Sequence, residues 1–353
     1  MSNPSVVSAT GRERPIDPFV HALPKAELHV HLLGAASVET VLGLARRHPE
    51  VGVPVDEEAL QEFYRFRDFA HFIEVYIQTN QLVTTPQDVE DLVAGVGADM
   101  AAQNIRYAEL TVTPDSQLLM GIAPDALAEA LTRGRAQART SGVELAWVFD
   151  IPGELGLPSG ERTIDWVERH APDGTVGFGL GGPEIGVERP QFAEVFARAR
   201  ALGLKSVPHA GETTGPQTVR DALDALGAVR IGHGIRAADD PALVAELVER
   251  QIPLEIAPTS NLCTGAVASL DEHPFPALRD AGVLVTLNSD DPGMFDTTLE
   301  HEYQLAHDTF GLSLADLADL ARAAVDASFA AGEVKLRIRD EIDAVVAELL
   351  LES

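Results

Sequence analysis

Eight short runs of apolar and β-branched residues recur along the chain, and each is followed by a longer stretch with the apolar spacing of a helix. This alternation is typical of βα units, in which parallel strands lie buried beneath helices. The runs cover residues 25–31, 106–113, 143–150, 174–180, 205–211, 230–234, 253–259 and 283–290. Eight units predict an α/β fold of the (β/α)8 TIM-barrel type, with its chemistry at the C-terminal ends of the strands.

Capping patterns mark the starts of two of the predicted helices. Thr85 to Asp88 and Ser313 to Asp316 each place a hydroxyl side chain three residues before an acid, which is the pattern of a capping box. We see no sharp linker between domains. The sequence therefore predicts a polar N-terminal arm over residues 1–20 and a single domain over residues 21–353.

One segment exceeds what a minimal barrel needs. No strand pattern is present from about residue 44 to 104, which predicts a helical insertion after the first strand. Within it, residues 62–76 hold six aromatic side chains, namely Phe63, Tyr64, Phe66, Phe69, Phe72 and Tyr76. One interpretation is an apolar lid over the site. The other, which we favour, is a helical stripe packed on the barrel, and both can apply to different faces of one helix.

Charge and cysteine content narrow the class of protein. The net charge is −29, from 55 acidic and 26 basic residues, and such a field repels nucleic acids and anionic membranes. The single cysteine, Cys263, can form no disulfide within the chain. We find no pattern of a signal peptide and no apolar run long enough to span a membrane. We therefore expect a cytoplasmic protein with a small-molecule partner.

The first predicted strand ends in a pair of histidines. Side chains two residues apart on a strand point to the same face, so His29 and His31 face one space. Two imidazoles placed together at the end of a strand can bind one metal ion. By itself the pattern is weak, because histidines near a core are more often only hydrogen-bonded.

Further functional side chains follow other predicted strands. His209 and Glu212 follow the fifth run, His233 follows the sixth, and Asp290 and Asp291 follow the eighth. A barrel brings all of these strand ends to one mouth. Three imidazoles and one carboxylate suit a zinc-type ion with an open position, although other divalent transition metals accept the same ligands. Such an ion lowers the pKa of a bound water toward about 7, and an acid is then needed to protonate the group under attack.

The motifs PKAELHVHLLG, HAGE, GHG, PTSN and NSDDP, in this order, closely resemble those of the adenosine deaminase family of the amidohydrolase superfamily. The resemblance covers about residues 22–345 and implies one Zn²⁺ per chain and hydroxide attack at C6 of an adenine nucleoside, with loss of ammonia. It implies zinc ligands at His29, His31, His209 and Asp290. It also implies an acid for purine N1 at Glu212, a residue that orients the attacking water at His233, and a partner for N7 at Asp291. The implied substrate wall comprises His31, Leu33, Gly182 and Asp291.

Leu33 departs from the family pattern. Members that act on adenosine usually have aspartate there, near the ribose hydroxyl, and a leucine cannot accept a hydrogen bond. GLGGPE and Thr111 are two further departures. We expect a 5′-modified adenosine as substrate, with 6-aminodeoxyfutalosine of bacterial menaquinone biosynthesis first and methylthioadenosine second. The alternative is that Leu33 only widens the pocket and that adenosine of purine salvage remains the substrate.

Other classes of function remain open at this level. A related metal hydrolase acting on adenine or another amino-heterocycle has the same metal ligands. A non-catalytic barrel that only binds its ligand is disfavoured, because all the catalytic residue types are present. The zinc deaminases with an HxE and PCxxC pattern are excluded, because the chain has one cysteine.

Overall fold

The computed structural model describes residues 16–352, with side chains described through residue 348. Its strand segments are β1 (Lys25–His31), β2 (Ile105–Val112), β3 (Glu144–Pro152), β4 (Thr175–Gly181), β5 (Lys205–Ser206), β6 (His209–Ala210), β7 (Ile231–His233), β8 (Leu254–Ile256) and β9 (Val285–Leu287). Strands β1 to β5 pair in parallel in chain order, and β6 to β9 do the same. The predicted strands and the α/β barrel are thereby confirmed.

The two sheets close into one barrel through backbone contacts at their edges. A parallel bridge joins Val30 to Asp290, with hydrogen bonds from His31 N–H to Asp290 O (2.9 Å) and from Asp290 N–H to His29 O (3.1 Å). On the opposite side, Val229 N–H, just before β7, donates to Ser206 O of β5 at 3.0 Å. Asp290, three residues after β9, is thus fixed beside the first strand.

The fifth predicted strand is divided in the structure. Residues 205–211 were expected to be continuous, but β5 and β6 are separated by Val207 and Pro208. Proline has no backbone N–H, so the ladder cannot continue through it. Its carbonyl instead accepts from Gly232 N–H at 3.0 Å, and β6 then pairs with β7. The seventh run, residues 253–259, is also shorter than predicted, because Pro258 begins a helix.

The helices in the described residues are α1 (Pro18–Ala22), α2 (Val38–Arg47), α3 (Glu57–Phe63), α4 (Phe69–Asn80), α5 (Pro86–Ala102), α6 (Pro114–Leu119), α7 (Pro124–Thr140), α8 (Gly156–His170), α9 (Ala193–Ala201), α10 (Pro216–Asp224), α11 (Pro241–Arg250), α12 (Pro258–Cys263), α13 (Phe275–Asp280), α14 (Pro292–Phe295), α15 (Leu299–Asp308), α16 (Leu314–Ala327) and α17 (Gly332–Glu352). Both predicted capping boxes form, at Thr85 with Asp88 and at Ser313 with Asp316. Within the described chain, no helix combines the length and apolar character needed to cross a bilayer.

Helices α2 to α5 occupy the segment between β1 and β2, where a helical insertion was predicted. The aromatic segment packs on the barrel, as we favoured, and it also forms a wall of the site. Phe66 and Phe72 pack on Phe295, with ring centroids 5.8 and 5.0 Å away. Phe69, Phe72 and Tyr76 also line the cavity at the barrel mouth. Helix α4 therefore joins the core and also walls the site.

The predicted N-terminal arm lies mostly outside the described residues, which begin at residue 16. Its last residues belong to α1, which Asp17 caps by accepting from Phe19 N–H at 2.8 Å. Phe19 and Val20 are buried, so this end of the arm packs on the barrel rather than lying loose.

Candidate active site

Five side chains from four strand ends meet at one point of the barrel mouth. His29 and His31 come from β1, His209 from β6, His233 from β7, and Asp290 follows β9. The Nε2 atom of His31 lies 3.1 Å from His209 Nε2 and 3.3 Å from Asp290 Oδ1. Nε2 of His29 lies 3.4 Å from the same Asp290 oxygen. The residues that the sequence predicted as neighbours are therefore together.

These distances fit a metal centre. Zinc with tetrahedral bonds of about 2.0–2.1 Å holds its ligand atoms about 3.3–3.4 Å apart, close to the three distances above. Among the described residues, nothing forms a hydrogen bond with His29 Nε2, which is buried and faces the cluster. Three imidazoles and one carboxylate are a usual donor set for zinc. The site fits a single zinc ion.

The electrostatics of the cluster also call for a cation. Burial lowers the pKa of His29, but the Asp290 and Glu255 carboxylates outweigh it and raise that pKa to about 10. For His31, burial is likewise outweighed by Asp291 and Asp290, and the pKa rises to about 9. The carboxylates thus attract positive charge onto these rings. A divalent ion supplies that charge without protonating the ligand nitrogens.

A series of buried ion pairs supports His29 on its Nδ1 side, away from the metal cluster. Glu255 Oε2 accepts a hydrogen bond from His29 Nδ1 at 2.8 Å, and its other oxygen accepts from Arg230. Arg230 also donates to Glu109, and all of these side chains are buried. A carboxylate on Nδ1 fixes the tautomer whose Nε2 lone pair points at the cluster. These ion pairs therefore orient His29 for metal binding.

Glu212 is held in place by a second carboxylate that the sequence analysis did not assign. Glu184 accepts hydrogen bonds from the backbone N–H groups of Gly211 (2.5 Å), Glu212 (3.0 Å), Thr213 (2.6 Å) and Thr214 (2.9 Å). Four donors converge on this one side chain, so the loop after β6 is rigidly fixed. Its local signal was only the Pro-Glu of GLGGPE.

The carboxyl group of Glu212 is set up as an acid. Burial, followed by the charges of Asp290 and Glu184, raises the pKa of Glu212 to about 8. Thr264 Oγ1 donates to Glu212 Oε1 at 3.2 Å, and His233 Nε2 lies 3.7 Å from Oε2. At neutral pH the protonated form dominates, so Glu212 can give a proton to a basic ring nitrogen.

Two residues at the centre of the site adopt left-handed backbone conformations. The φ angles of His233 and Asp290 are 60° and 65°, a region of backbone conformation that residues other than glycine rarely adopt. Each costs about 1 kcal/mol or more, which the surrounding structure must offset. For Asp290 one such contact is Ser260, whose Oγ donates to Oδ2 at 2.6 Å. This strain is typical of functional sites.

Glycines allow close approach at two points of the wall. A Cβ at Gly34 would lie 1.7 Å from Asp291 Oδ1, so only glycine leaves room for that carboxyl group. Gly182 has a φ of 76°, which favours glycine, and its backbone borders the cavity. Asp291 Oδ1 is buried with no hydrogen-bond partner among the described residues. Burial, followed by the Asp290 charge, raises the pKa of Asp291 to about 8.

Two adjoining cavities define the space for a ligand. The larger borders His31, Glu212 and Asp291 and is walled by the aromatic face of α4. A second, much smaller cavity is lined by Leu33 and by the β2 end, including Thr111. Tyr76, Asn80, Thr113 and Ser116 border both cavities. Leu33 therefore faces the second cavity, which adjoins the one that contains the metal cluster.

The cavity also contains two acids that the sequence analysis missed. Asp150, at the end of β3, accepts from Thr113 Oγ1 at 2.6 Å. Glu154 follows it and borders Gly182. Burial raises the pKa of both carboxyl groups. Their position at or just after a strand end was the only signal in the sequence.

A (β/α)8 barrel with a buried His/His/His/Asp cluster at its mouth defines a metal-dependent hydrolase. The sequence profile described as "Adenosine deaminase" matches residues 24–345. The chain belongs to the adenosine deaminase family.

Two curated relatives are named aminodeoxyfutalosine deaminase. One, from Streptomyces coelicolor, is 54% identical over 96% of this chain and 88% of its own length. The other, from Streptomyces avermitilis, is 52% identical over 97% and 96%. An adenine deaminase of Streptomyces coelicolor is 38% identical over 93% and 96%. A solved amidohydrolase from Burkhoderia ambifaria with bound Zn is 27% identical, with a TM-score of 0.87, and covers 99% of this chain and 100% of its own.

Proposed function

We propose that this protein is a zinc-dependent aminohydrolase that replaces the 6-amino group of a 5′-extended adenine nucleoside with oxygen, and that 6-aminodeoxyfutalosine is its substrate. The observation that carries the substrate is Leu33, which borders the second cavity and stands where the family resemblance implies an aspartate near the ribose hydroxyl. The two relatives above 50% identity, whose names give this activity, support the proposal.

In this proposal His29, His31, His209 and Asp290 hold the ion. The buried lone pair of His29, the distances of 3.1–3.4 Å among the ligand atoms and the known zinc content of a structural relative support the assignment. When bound, zinc supplies Lewis-acid activation of a water molecule for attack at purine C6. The assignment leaves His233, which is also close, for a different role.

The chain's own residues position the purine and move its protons. Protonated Glu212 donates to N1, which makes C6 more electrophilic. His233 orients the attacking water, and the carboxyl group of Asp291 binds N7. The backbone N–H of Gly182 meets N3. The raised pKa of Glu212, the unpartnered Asp291 oxygen and the position of Gly182 at the cavity border support these roles.

Leu33 separates the proposed substrate from adenosine and adenine. A 5′ hydroxyl beside Leu33 has no acceptor on that side chain, and its desolvation is then uncompensated. An apolar or aryl extension instead packs toward Leu33 and Tyr76, where the two cavities adjoin. Free adenine does not reach this place and gains none of this binding energy.

Partner, location and domain structure complete the proposal. The net charge of −29 supports a small nucleoside over a nucleic-acid polymer as ligand. We propose one domain over residues 21–353, supported by the barrel closure between residues 30 and 290. We also propose a cytoplasmic location, which the single unpaired cysteine supports.

The test is a set of initial-rate measurements on zinc-loaded protein, following the ultraviolet change from adenine to hypoxanthine. 6-Aminodeoxyfutalosine, methylthioadenosine, adenosine and adenine are compared by kcat/KM. We expect the first to exceed adenosine by more than about tenfold, or about 1.4 kcal/mol of transition-state discrimination. Glu212→Gln is the matched control, and it should bind zinc but release no ammonia.

Two results would contradict the proposal. A preference for adenosine would refute the 5′-extended substrate and leave the deaminase chemistry intact. Zinc-loaded protein that releases ammonia from none of the four compounds would refute the chemistry as well.

A further inference from the structure

Three buried polar side chains form a line that ends on His233. His273 Nδ1 accepts from the backbone N–H of Phe275 at 3.0 Å, and His273 Nε2 lies 3.2 Å from Asn261 Oδ1. Asn261 Nδ2 lies 3.2 Å from His233 Nδ1. The exposed fractions are 4% for His273, 0% for Asn261 and 1% for His233. Neither His273 nor Asn261 has a role in the function proposed above.

The direction of every hydrogen bond in this line follows from its first member. A backbone N–H can only donate, so His273 Nδ1 must accept. Burial, followed by the Arg236 charge, lowers the pKa of His273 to about 4, so the ring is neutral and its single proton is on Nε2. That proton is donated to Asn261 Oδ1. The amide nitrogen of Asn261 must then face His233, which settles the orientation that is usually ambiguous for an amide.

The consequence reaches the active centre. Because Asn261 Nδ2 donates to His233 Nδ1, the proton of the neutral His233 ring is on Nε2. That atom faces the reaction space, 3.7 Å from Glu212 Oε2 and 3.9 Å from Asp290 Oδ2. A protonated Nε2 has no lone pair for a metal ion. His233 is therefore kept out of the ligand set although it lies within 4.8 Å of it.

We propose that His273 and Asn261 are positioning residues that hold His233 in the Nε2–H tautomer, so that His233 meets the attacking oxygen as a hydrogen-bond donor and not as a metal ligand. The role at the attacking oxygen rests on the proposed function, whereas the tautomer does not. In this arrangement His29 and His233 are opposites: Glu255 accepts from Nδ1 of His29, and Asn261 donates to Nδ1 of His233.

Helix α12 gives this arrangement its rigidity. Two hydrogen bonds fix the backbone of Asn261. Val267 N–H donates to Asn261 O at 3.0 Å, and Asn261 N–H donates to Ala257 O at 3.0 Å. The preceding residue, Ser260, donates to Asp290 Oδ2 at 2.6 Å. Two consecutive side chains of one short helix thus orient the metal-binding carboxylate and the neighbouring imidazole.

The direct test is nuclear magnetic resonance of protein labelled with ¹⁵N in its histidine rings, recorded with and without zinc and without substrate. The His233 signals are assigned by their loss in His233→Ala. We expect a pyridine-type Nδ1 and a pyrrole-type Nε2 on His233 in both states. A protonated Nδ1 in the wild-type protein would overturn the proposal whatever the substrate proves to be.

Matched variants test the line itself. Asn261→Asp offers only acceptor atoms, so it should reverse the two His233 signals. His273→Gln keeps a donor toward Asn261, whereas His273→Met has similar length and none. We expect His273→Met to lower kcat about 10–100-fold with little change in KM, and His273→Gln to restore most of it. Equal losses in the Gln and Met variants, with unchanged His233 signals in both, would overturn the proposal.

Two further measurements distinguish a loss of folding from a loss of the proposed positioning role. The midpoint of thermal unfolding shows whether each variant is folded, and if Asn261→Asp is not, the wild-type spectrum decides alone. If the wild-type tautomer is as expected but none of the nucleosides reacts, the proposed function fails and the positioning of His233 stands.

Discussion

Replacing Glu255 with glutamine removes the charge behind His29 while keeping the shape of the side chain. Glu255 Oε2 lies 2.8 Å from His29 Nδ1, and the two side chains are 2% and 3% exposed. Burial alone would raise the pKa of Glu255, but the Arg230 guanidinium and the His29 imidazole lower it below its usual value. The carboxylate is therefore ionised and strengthens His29 as a donor to zinc.

The expected loss has two parts of different size. Carboxylates behind metal-binding histidines typically contribute about 10–100-fold in metal affinity, or about 1.4–2.7 kcal/mol. Arg230 also loses one of its two buried carboxylate partners but keeps Glu109, and breaking a buried ion pair costs about 3–5 kcal/mol. We therefore expect the free energy of unfolding of the metal-free protein to fall by more than the free energy of zinc binding.

Zinc affinity is measured by competition with a chelating dye, and stability by urea unfolding of metal-free protein. Glu302→Gln is the control, because Glu302 is equally buried but accepts from Thr297 Oγ1 and from Thr259 N–H, with no imidazole partner. The control should lose stability and keep its zinc affinity. If Glu255→Gln kept the zinc affinity of the wild type, or if the control lost as much, then the Glu255 carboxylate would not strengthen His29 as a zinc ligand.

Four further predictions concern single residues of the site. Leu33→Asp should raise kcat/KM for adenosine relative to 5′-extended nucleosides by about tenfold, and an unchanged ratio would count against the substrate. Activity should decline as pH rises through the Glu212 pKa of about 8, because the protonated acid is required. Thr264→Val removes a hydrogen bond that lowers this pKa, so the pH–rate profile should move to higher pH, not lower. Glu184→Gln leaves fewer acceptors for four backbone N–H groups, and urea unfolding should show a loss of about 2–4 kcal/mol.

Much of the barrel could be predicted because buried parallel strands appear in the sequence as short apolar runs. The predicted and observed bounds of β1 are identical, at residues 25–31. The main difference, the break between β5 and β6, comes from Pro208, which has no N–H for the ladder. The aromatic segment could not be assigned to packing or to the cavity, because helix periodicity does not show what each face contacts.

The proposed metal ligands were recognisable because each lies near the C-terminal end of a strand, and a barrel brings such positions together. Their supporting residues were not. Glu255 lies 226 residues from His29, and neither residue carries a local pattern that predicts the contact. His273 and Asn261 likewise acquire meaning only through hydrogen-bond directions. The resemblance already implied that His233 orients the attacking water, but the tautomer that we propose for it depends on tertiary contacts.

The proposed substrate preference is tested most directly by a competition assay, in which all the substrates are present in one reaction. Zinc-loaded protein is given equal concentrations of 6-aminodeoxyfutalosine, adenosine and adenine, and the products are separated and counted at low conversion. The ratio of products gives the ratio of kcat/KM values. We expect the deaminated 5′-extended nucleoside to form more than about tenfold faster than inosine or hypoxanthine. Inosine or hypoxanthine as the main product would contradict it.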